Sequence, residues 1–539
     1  MRASDIRKIS MVAAVSLASG GVGCGIALGL DEFEDAPSGT GGTGGYGETG
    51  GHGGGGVCAP GEVESCYEGP DETEGIGRCK AGSKTCNKEG SSYGPCEGEV
   101  RPAAETCATA ADDDCDGRDC TLRSQIFGDA SDQRVSKVVT DSTGTIYIAG
   151  SFSGTIAFDP SKPISANRTE SYLAKFSHNG DPLWSIKLAG VSSINSVTVD
   201  SSGNPAVAGG FMGTINLGGE THTHEGSRAA IVAKYTNRGE FLWSQMFNDD
   251  MNTAAKDTAT DSRDNLIVTG VADCHGCSDE TSHMWINKYD STGALTWRKT
   301  LPKYAEGPLV TSIAVDPFDN IITTGDFVGT NAFDGDALTS RGGSDIFIVK
   351  YTGDGDLVWA ASYGDEADQK GTSVASDNLG NVVLLGTFAG TINFFTDGSK
   401  QLSASSERDI FIAKLSSAKV PLWSKSFESS AGAWGSRVAV DANGDILFTG
   451  SFNEEINFGG ETLSSRGATD IHLVKLAANG DHSWSRAFGN DQEQAGFALA
   501  PAPDGRIWLG ATTRGDLMIG RDRLSAQGGL DIVLSMFAP

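Results

Sequence analysis

The chain has 539 residues, long enough for several domains or one large repeat architecture. Its 41 Lys+Arg against 70 Asp+Glu give a formal net charge of −29, which excludes the clustered basic surface that a phosphate backbone requires. Glycine is abundant at 73 residues and 3.6-period amphipathic runs are scarce, so an all-β chain with many turns is expected.

Residues 1–23 read as an export signal: Arg2, Arg7 and Lys8 precede the short apolar run Met11 to Ala18. That run is too short to span a bilayer, and no other segment approaches ~20 apolar residues. Gly21-Val22-Gly23-Cys24 resembles a bacterial lipobox, which implies lipidation of Cys24. Gly21 departs from the family's preferred Leu, and an ordinary secretory signal is the alternative. Export to the outer membrane or cell surface follows from the first reading, and secretion or a periplasmic location from the second. Residues 24–57 form a Gly-rich flexible tether, most evident in TGGTGGYGETGGHGGGG at 40–56.

Residues 58–120 hold Cys58, Cys66, Cys79, Cys86, Cys96, Cys107, Cys115 and Cys120. In an exported chain, eight cysteines in a stretch too poor in apolar residues for a core imply four disulfides, with connectivity open among 105 pairings. Zinc is the rival use, but the spacings lack the close pairs of zinc ribbons. Asp112, Asp114, Asp116 and Gly117 follow D-x-D-x-D-G, a spacing that can aim three carboxylates at a hard cation such as Ca²⁺. Arg123 stands where a helix-loop-helix calcium site has its bidentate Glu, and an acidic, disulfide-pinned turn is the plainer reading. The run Cys58-Ala-Pro-Gly-Glu, Tyr93-Gly-Pro-Cys96 and Asp112-Asp-Asp-Cys-Asp-Gly117 resembles a module of myxobacterial-type exported proteins. The closing acidic piece of that module is named as a metal-binding motif.

Residues 121–539 repeat. Turn landmarks at Asp141, Asp200, Asp261, Asp316, Asp377, Asp441 and Asp504 precede strands ending at Gly150, Gly209, Gly270, Gly325, Gly386, Gly450 and Gly510, spaced 55 to 64 residues apart. Each unit continues with a strand such as IFIVKY (346–351), whose lysine recurs as Lys175, Lys234, Lys288, Lys350, Lys414 and Lys475. These lysines read as stems that cover apolar surface and reach water. A last strand carries Trp184, Trp243, Trp297, Trp359, Trp423 and Trp484, in a register that suits packing between units better than an exposed sugar-binding ladder.

Seven units of four strands describe a seven-bladed β-propeller. The seventh unit ends at IVLSMF (532–537) without its last strand, and residues 123–129 supply the missing piece. This accounts for the return of FGDASDQ (127–133) as YGDEADQ (363–369) and FGNDQEQ (488–494): it is the joint between one blade and the next. The units resemble the bacterial cell-surface propeller family named for its seven blades, which implies a fold and no shared catalytic set.

Loops between second and third strands should share one face with the inter-blade links, which carry Asp129, Asp132, Asp249, Asp250, Asp365, Glu366, Asp368, Asp491 and Glu493. They form an acidic binding face or simply satisfy turn backbone groups. His222, His224, Cys274, His275 and Cys277 could hold Zn²⁺, although a Cys274–Cys277 disulfide is the simpler use. No nucleophile, metalloprotease or phosphate-loop motif is present. The expectation is a monomeric, non-enzymatic surface module that binds protein or polysaccharide, with membrane contact only through its lipid. No cofactor is expected except possible Ca²⁺. An exported, metal-assisted hydrolase or lyase acting at the channel mouth is the alternative.

Overall fold

A strand with apolar residues on both faces must be covered on both sides, and a ring of radial sheets does this without leaving a free face. The computed structural model describes residues 57–539 except 106, 108–111, 117–119, 249–251, 274–280, 303–306, 396–397 and 521. Seven four-stranded antiparallel sheets form the blades. Blade 1 runs Gln133–Thr140, Ile146–Ile156, Ile164–Phe176 and Pro182–Leu188, from the innermost strand outward. Blades 2 to 6 repeat that order. Blade 7 takes Gln494–Pro501, Ile507–Thr513 and Asp531–Phe537, then receives Thr121–Phe127 as its outer strand, with Phe127 opposite Ile532. The expected closure is therefore observed. Cys58 to Pro539 is a single compact unit. Its described helical content is one short turn, Asp71–Thr73, and no described helix is long and apolar enough to cross a membrane.

The apolar core is divided into seven clusters, each straddling one blade interface. Five tryptophans seal these seams as the sequence implies. The indole N–H of Trp184, Trp243, Trp297, Trp359 and Trp423 donates to a turn carbonyl of the following blade at 3.0 to 3.3 Å. Blade 7 has Arg123 at that register, and its guanidinium donates to the Asn179 carbonyl at 2.8 Å, the corresponding acceptor in blade 1. Trp484 faces the seam where the chain ends meet, packed with Phe537, Cys107 and Cys120.

Each innermost strand carries a β-bulge, which adds a residue and twists the strand. In six blades the residue opposite it is a glycine with no room for a side chain: a Cβ on Gly150, Gly209, Gly270, Gly325, Gly386 or Gly450 would collide with an inner-strand carbonyl. Strand register puts Ala511, not Gly510, at this place in blade 7, because Ala511 pairs with Gly496 as Gly450 pairs with Gly435. The landmark at 510 is one residue early.

Five of the six repeated lysines do not reach water, which corrects the sequence reading for them. Lys234, Lys288, Lys350, Lys414 and Lys475 are buried and pair with the turn aspartates Asp200, Asp261, Asp316, Asp377 and Asp441 at 2.7 to 3.1 Å. The aspartate also accepts turn N–H groups, as Asp316 does from Phe318 and Asn320 at 2.9 Å, so the ammonium is recruited inward to a fixed carboxylate. Burial would raise these carboxyls, but the lysine and turn hydrogen bonds outweigh it and hold Asp200, Asp261, Asp316 and Asp377 below their ordinary value. Lys175 differs: it donates to the Asn237 carbonyl and lies over the Tyr147 ring.

Four disulfides pin the N-terminal module: Cys58–Cys86, Cys66–Cys96, Cys79–Cys115 and Cys107–Cys120. They fit an extracellular or periplasmic compartment. The last of them lies at the seam of blades 6 and 7, where the Ala538 N–H donates to the Cys120 carbonyl at 2.9 Å and Arg486 of blade 6 donates to the Cys107 carbonyl at 2.8 Å.

Replacing Lys350 by Met leaves Asp316 charged and buried, and is expected to cost about 3–5 kcal/mol in chemical denaturation. The same change at the half-buried Lys425, 3.7 Å from the exposed Asp481, should cost less than about 1 kcal/mol.

Candidate functional site

The inter-blade links and the hairpins after second strands do share a face. Asp129 accepts the Thr155 N–H at 2.6 Å, and Asp365 accepts the Thr391 N–H at 2.6 Å. The repeated heptad is a joint with three parts. Its glycine leaves room for a buried aspartate at the start of the third strand: Gly128 for Asp531, Gly364 for Asp345 and Gly489 for Asp470. The following Asp129, Asp365 or Asn490 accepts the N–H two residues on and bonds the buried Gln133, Gln369 or Gln494 side chain at 2.5 to 2.7 Å. The glutamine N–H then reaches back to the Leu530, Ser344 or Thr469 carbonyl. Blade 5 ends instead in Phe427-Glu428-Ser429, and there Asp409 accepts the Ser429 N–H at 3.1 Å.

Asp129 and Asp365 are thus engaged in turn geometry. Asp132 accepts the Leu530 N–H, Asp368 accepts the Ser344 N–H, and Glu493 lies 3.8 Å from Arg514. Glu366 and Asp491 are exposed. Asp249 and Asp250 lie outside the described residues.

A cavity of about 390 Å³ opens on this face at blade 5. Glu366, Asp368 and Glu407 line it against Lys370 and Arg408, and Arg408 sits 5.0 Å over the Trp434 ring. Behind it, Asp326 is buried at 8% exposure; burial pushes its carboxyl up to about 6, with Lys370 opposing and Asp368 adding to the rise.

The central channel holds residues that motif analysis did not single out. The residue just after each bulge is Lys137, Ser196, Asp257, Ser312, Ser373, Arg437 or Ala498. Lys137 of blade 1 reaches Asp257 of blade 3 at 2.6 Å, and Asp257 reaches Arg437 of blade 6 at 3.1 Å. Blades so far apart in a ring of seven meet only across the axis, so these side chains bridge the lumen. Asp257 also accepts from Ser196, Ser312 and the N–H groups of Thr258 and Ile313, at 2.8 to 3.1 Å. Burial would raise its carboxyl, but Lys137 and Arg437 hold it well below the usual range. A signal was present in the sequence: these charges stand four residues before the turn aspartates 141, 261 and 441, where the other units have Ser or Ala.

In the disulfide module the carboxylates that meet are Glu105, Asp112 and Asp114, each offering an oxygen within 4.8 Å of the others. This differs from the trio chosen by spacing: the Asp116 N–H donates to Asp112 and Asp114 at 3.1 Å, so the chain turns back on itself there. Glu105 lies outside the motif and had no sequence signal. Burial raises the Glu105 and Asp114 carboxyls, and the donor set is of the hard-oxygen type that suits Ca²⁺. Gly117 lies outside the described residues. His222 Nε2 is 2.7 Å from Ser244 Oγ, and His224 Nδ1 is 3.2 Å from Asn248 Nδ2. Cys274, His275 and Cys277 are outside the described residues, as is Cys24.

No family model matches the chain. It is similar to an uncharacterized WD repeat-containing protein of Acanthamoeba polyphaga mimivirus, at 24% identity over 395 residues, covering 59% of this chain and 28% of that protein. It is also similar to the regulatory protein FlaEY of Caulobacter vibrioides, at 28% identity over 165 residues, covering 30% of this chain and 17% of that one. The chain therefore spans under a third of either relative. Among solved structures it is similar to a Pyrococcus horikoshii acylaminoacyl peptidase, with TM-score 0.38, 10% identity, and coverage of 73% of this chain and 51% of that one. A Synechocystis apocarotenoid oxygenase gives TM-score 0.39, 9% identity and coverage of 75% and 94%. Neither structural likeness bears on activity.

The joint aspartates set a pH dependence. Burial pushes Asp531 up to about 6, against the Gln527 hydrogen bond and aided by Asp129, and it raises Asp345 and Asp470 as well. A raised carboxyl binds its proton more readily in the folded state, so stability should climb as pH falls from about 7 towards 4.5. It should decline below about 4, where the lowered turn aspartates take up protons. Asp531→Asn should raise the thermal midpoint at pH 7.5 and match wild type near pH 4.5.

Proposed function

We propose that this chain is an exported surface module, held by a lipid on Cys24 and a glycine tether, that binds a protein partner through the face carrying its inter-blade joints. The observation that supports the reading is the blade-5 cavity. Framework contacts recur from blade to blade, whereas Glu366, Glu407, Lys370 and Arg408 bring both signs of charge to one exposed recess beside an aromatic ring. Mixed charge in one recess suits a polypeptide better than a uniform polymer, since specificity comes from matching local charge. Polysaccharide remains the second ligand class. Calcium at Glu105, Asp112 and Asp114 would act on the module and not on this recess.

An alternative reading is a hydrolase or lyase at the same mouth. Asp326 supports it, because burial raises its carboxyl towards neutrality, where a general acid or base works.

The test is capture of envelope protein and polysaccharide fractions on the immobilised full chain. The binding module predicts a ligand retained intact and released tenfold or more faster from an Arg408→Glu variant. A ligand recovered cleaved, with cleavage lost in Asp326→Asn, would replace that reading with the enzyme.

A further inference from the structure

In three blades the extra residue of the inner-strand bulge ties one blade to the next. Ser136, Asn195 and Thr311 donate to the inner-strand carbonyls of Ile194, Ala255 and Gly371 in the following blade, at 2.6 to 2.7 Å. Blade 3 has Lys256 at this position. Lys256 makes no such bond: its side chain is exposed, and its ammonium has no hydrogen-bond or ion-pair partner among the described residues. Its strand, Asn252–Thr260, is the innermost of blade 3, so an exposed side chain there opens on the channel.

Two charged groups face it. Arg228 comes from the third strand of blade 2, Thr221–Tyr235; its guanidinium lies on the Gly210 backbone and its Nη2 donates to Ser193 Oγ. Asp273 ends the second strand of blade 3, where Asn252 Nδ2 donates to it at 2.8 Å. The amine is reachable from the lumen yet crowded by its walls. That crowding is the larger cause of a pKa below the ordinary lysine value, with Arg228 adding to it and Asp273 opposing. Two other described lysines are lowered as well, but Lys137 is bonded to Asp257 and Lys175 to the Asn237 carbonyl. An amine that is accessible, untied and held below its ordinary value has its electron pair free at neutral pH more often than a surface lysine does.

We propose that Lys256 is a covalent capture site for a small carbonyl compound, an aldehyde or ketone, that enters the central channel. The amine nitrogen attacks the carbonyl carbon, the carbonyl oxygen leaves as water with both amine hydrogens, and an imine joins the ligand to Lys256. The site lies between blades 2 and 3, apart from the recess at blade 5, and does not depend on what binds there.

The experiment is reductive trapping. The full chain is incubated with propanal or with pyruvate, plus cyanoborohydride to fix any imine, and the adduct at each lysine is followed by peptide mass spectrometry across a pH series. At pH 7.5 at least one probe should be trapped at Lys256 at least tenfold faster than at the exposed Lys162. Propanal tests the carbonyl alone, and pyruvate tests one that also carries a carboxylate. Arg228→Met should move the Lys256 profile to higher pH and slow its trapping several-fold at pH 7.5, whereas Asp273→Asn should move the profile to lower pH. Lys162 should respond to neither. Trapping at Lys256 no faster than at Lys162 overturns the proposal, as does a fast reaction whose profile neither variant moves. The Asp273 variant keeps the test decisive if Arg228→Met fails to fold.

Discussion

The propeller depends on closing a ring with two strands that lie far apart in one sequence. Thr121–Phe127 pairs with Asp531–Phe537, and only then does the last blade have four strands and the seventh apolar cluster both its walls. An open array would expose one blade face at each end; closure covers both. The disulfide module is placed at this seam. Cys107–Cys120 and the backbone bond from Ala538 to Cys120 lie where the other blades have a continuous turn, so a hydrogen bond to a disulfide-closed loop stands in for chain continuity.

Around the ring one seam is built repeatedly with small substitutions, and these show what the seam needs. The donor to the next blade's turn carbonyl is an indole in five seams and a guanidinium from Arg123 in another. The facing turn usually carries a glycine at positive φ, but Lys419 takes that conformation at φ 69° opposite Trp359. The requirement is a hydrogen-bond donor over a tight turn, and not a particular residue. The Lys–Asp pairs add a polar clamp in which burial is offset by hydrogen bonds on both partners.

This accounting changes how the charge of the chain is read. Several acidic residues that suggested a binding face are occupied with backbone N–H groups, and the turn aspartates elsewhere with buried lysines. The candidates that remain are local: a mixed-charge recess at blade 5 and a trio of carboxylates in the disulfide module. On the axis Lys137 and Arg437 outnumber Asp257. A protein of strongly negative total charge thus carries a positive centre, because ring positions are set blade by blade and not by the average composition.

Fold, blade count, closure and the existence of four disulfides were legible in the sequence, since each rests on local periodicity: a turn Asp, a strand, a Trp and a Cys recurring at fixed intervals. The alanine at 511 escaped that pattern because spacing counts residues, whereas a bulge shifts pairing by one. The buried lysines escaped it because a Lys ending a strand looks amphipathic until its partner turn is placed beside it. Glu105 joins Asp112 and Asp114 through the fold of a disulfide-linked loop, and Lys137, Asp257 and Arg437 are far apart in the chain. By itself the sequence determined the repeating unit and the number of units. Tertiary structure alone decided which charges meet, because contacts across a channel or a crosslinked loop depend on distance through space, and no period along the chain encodes that distance.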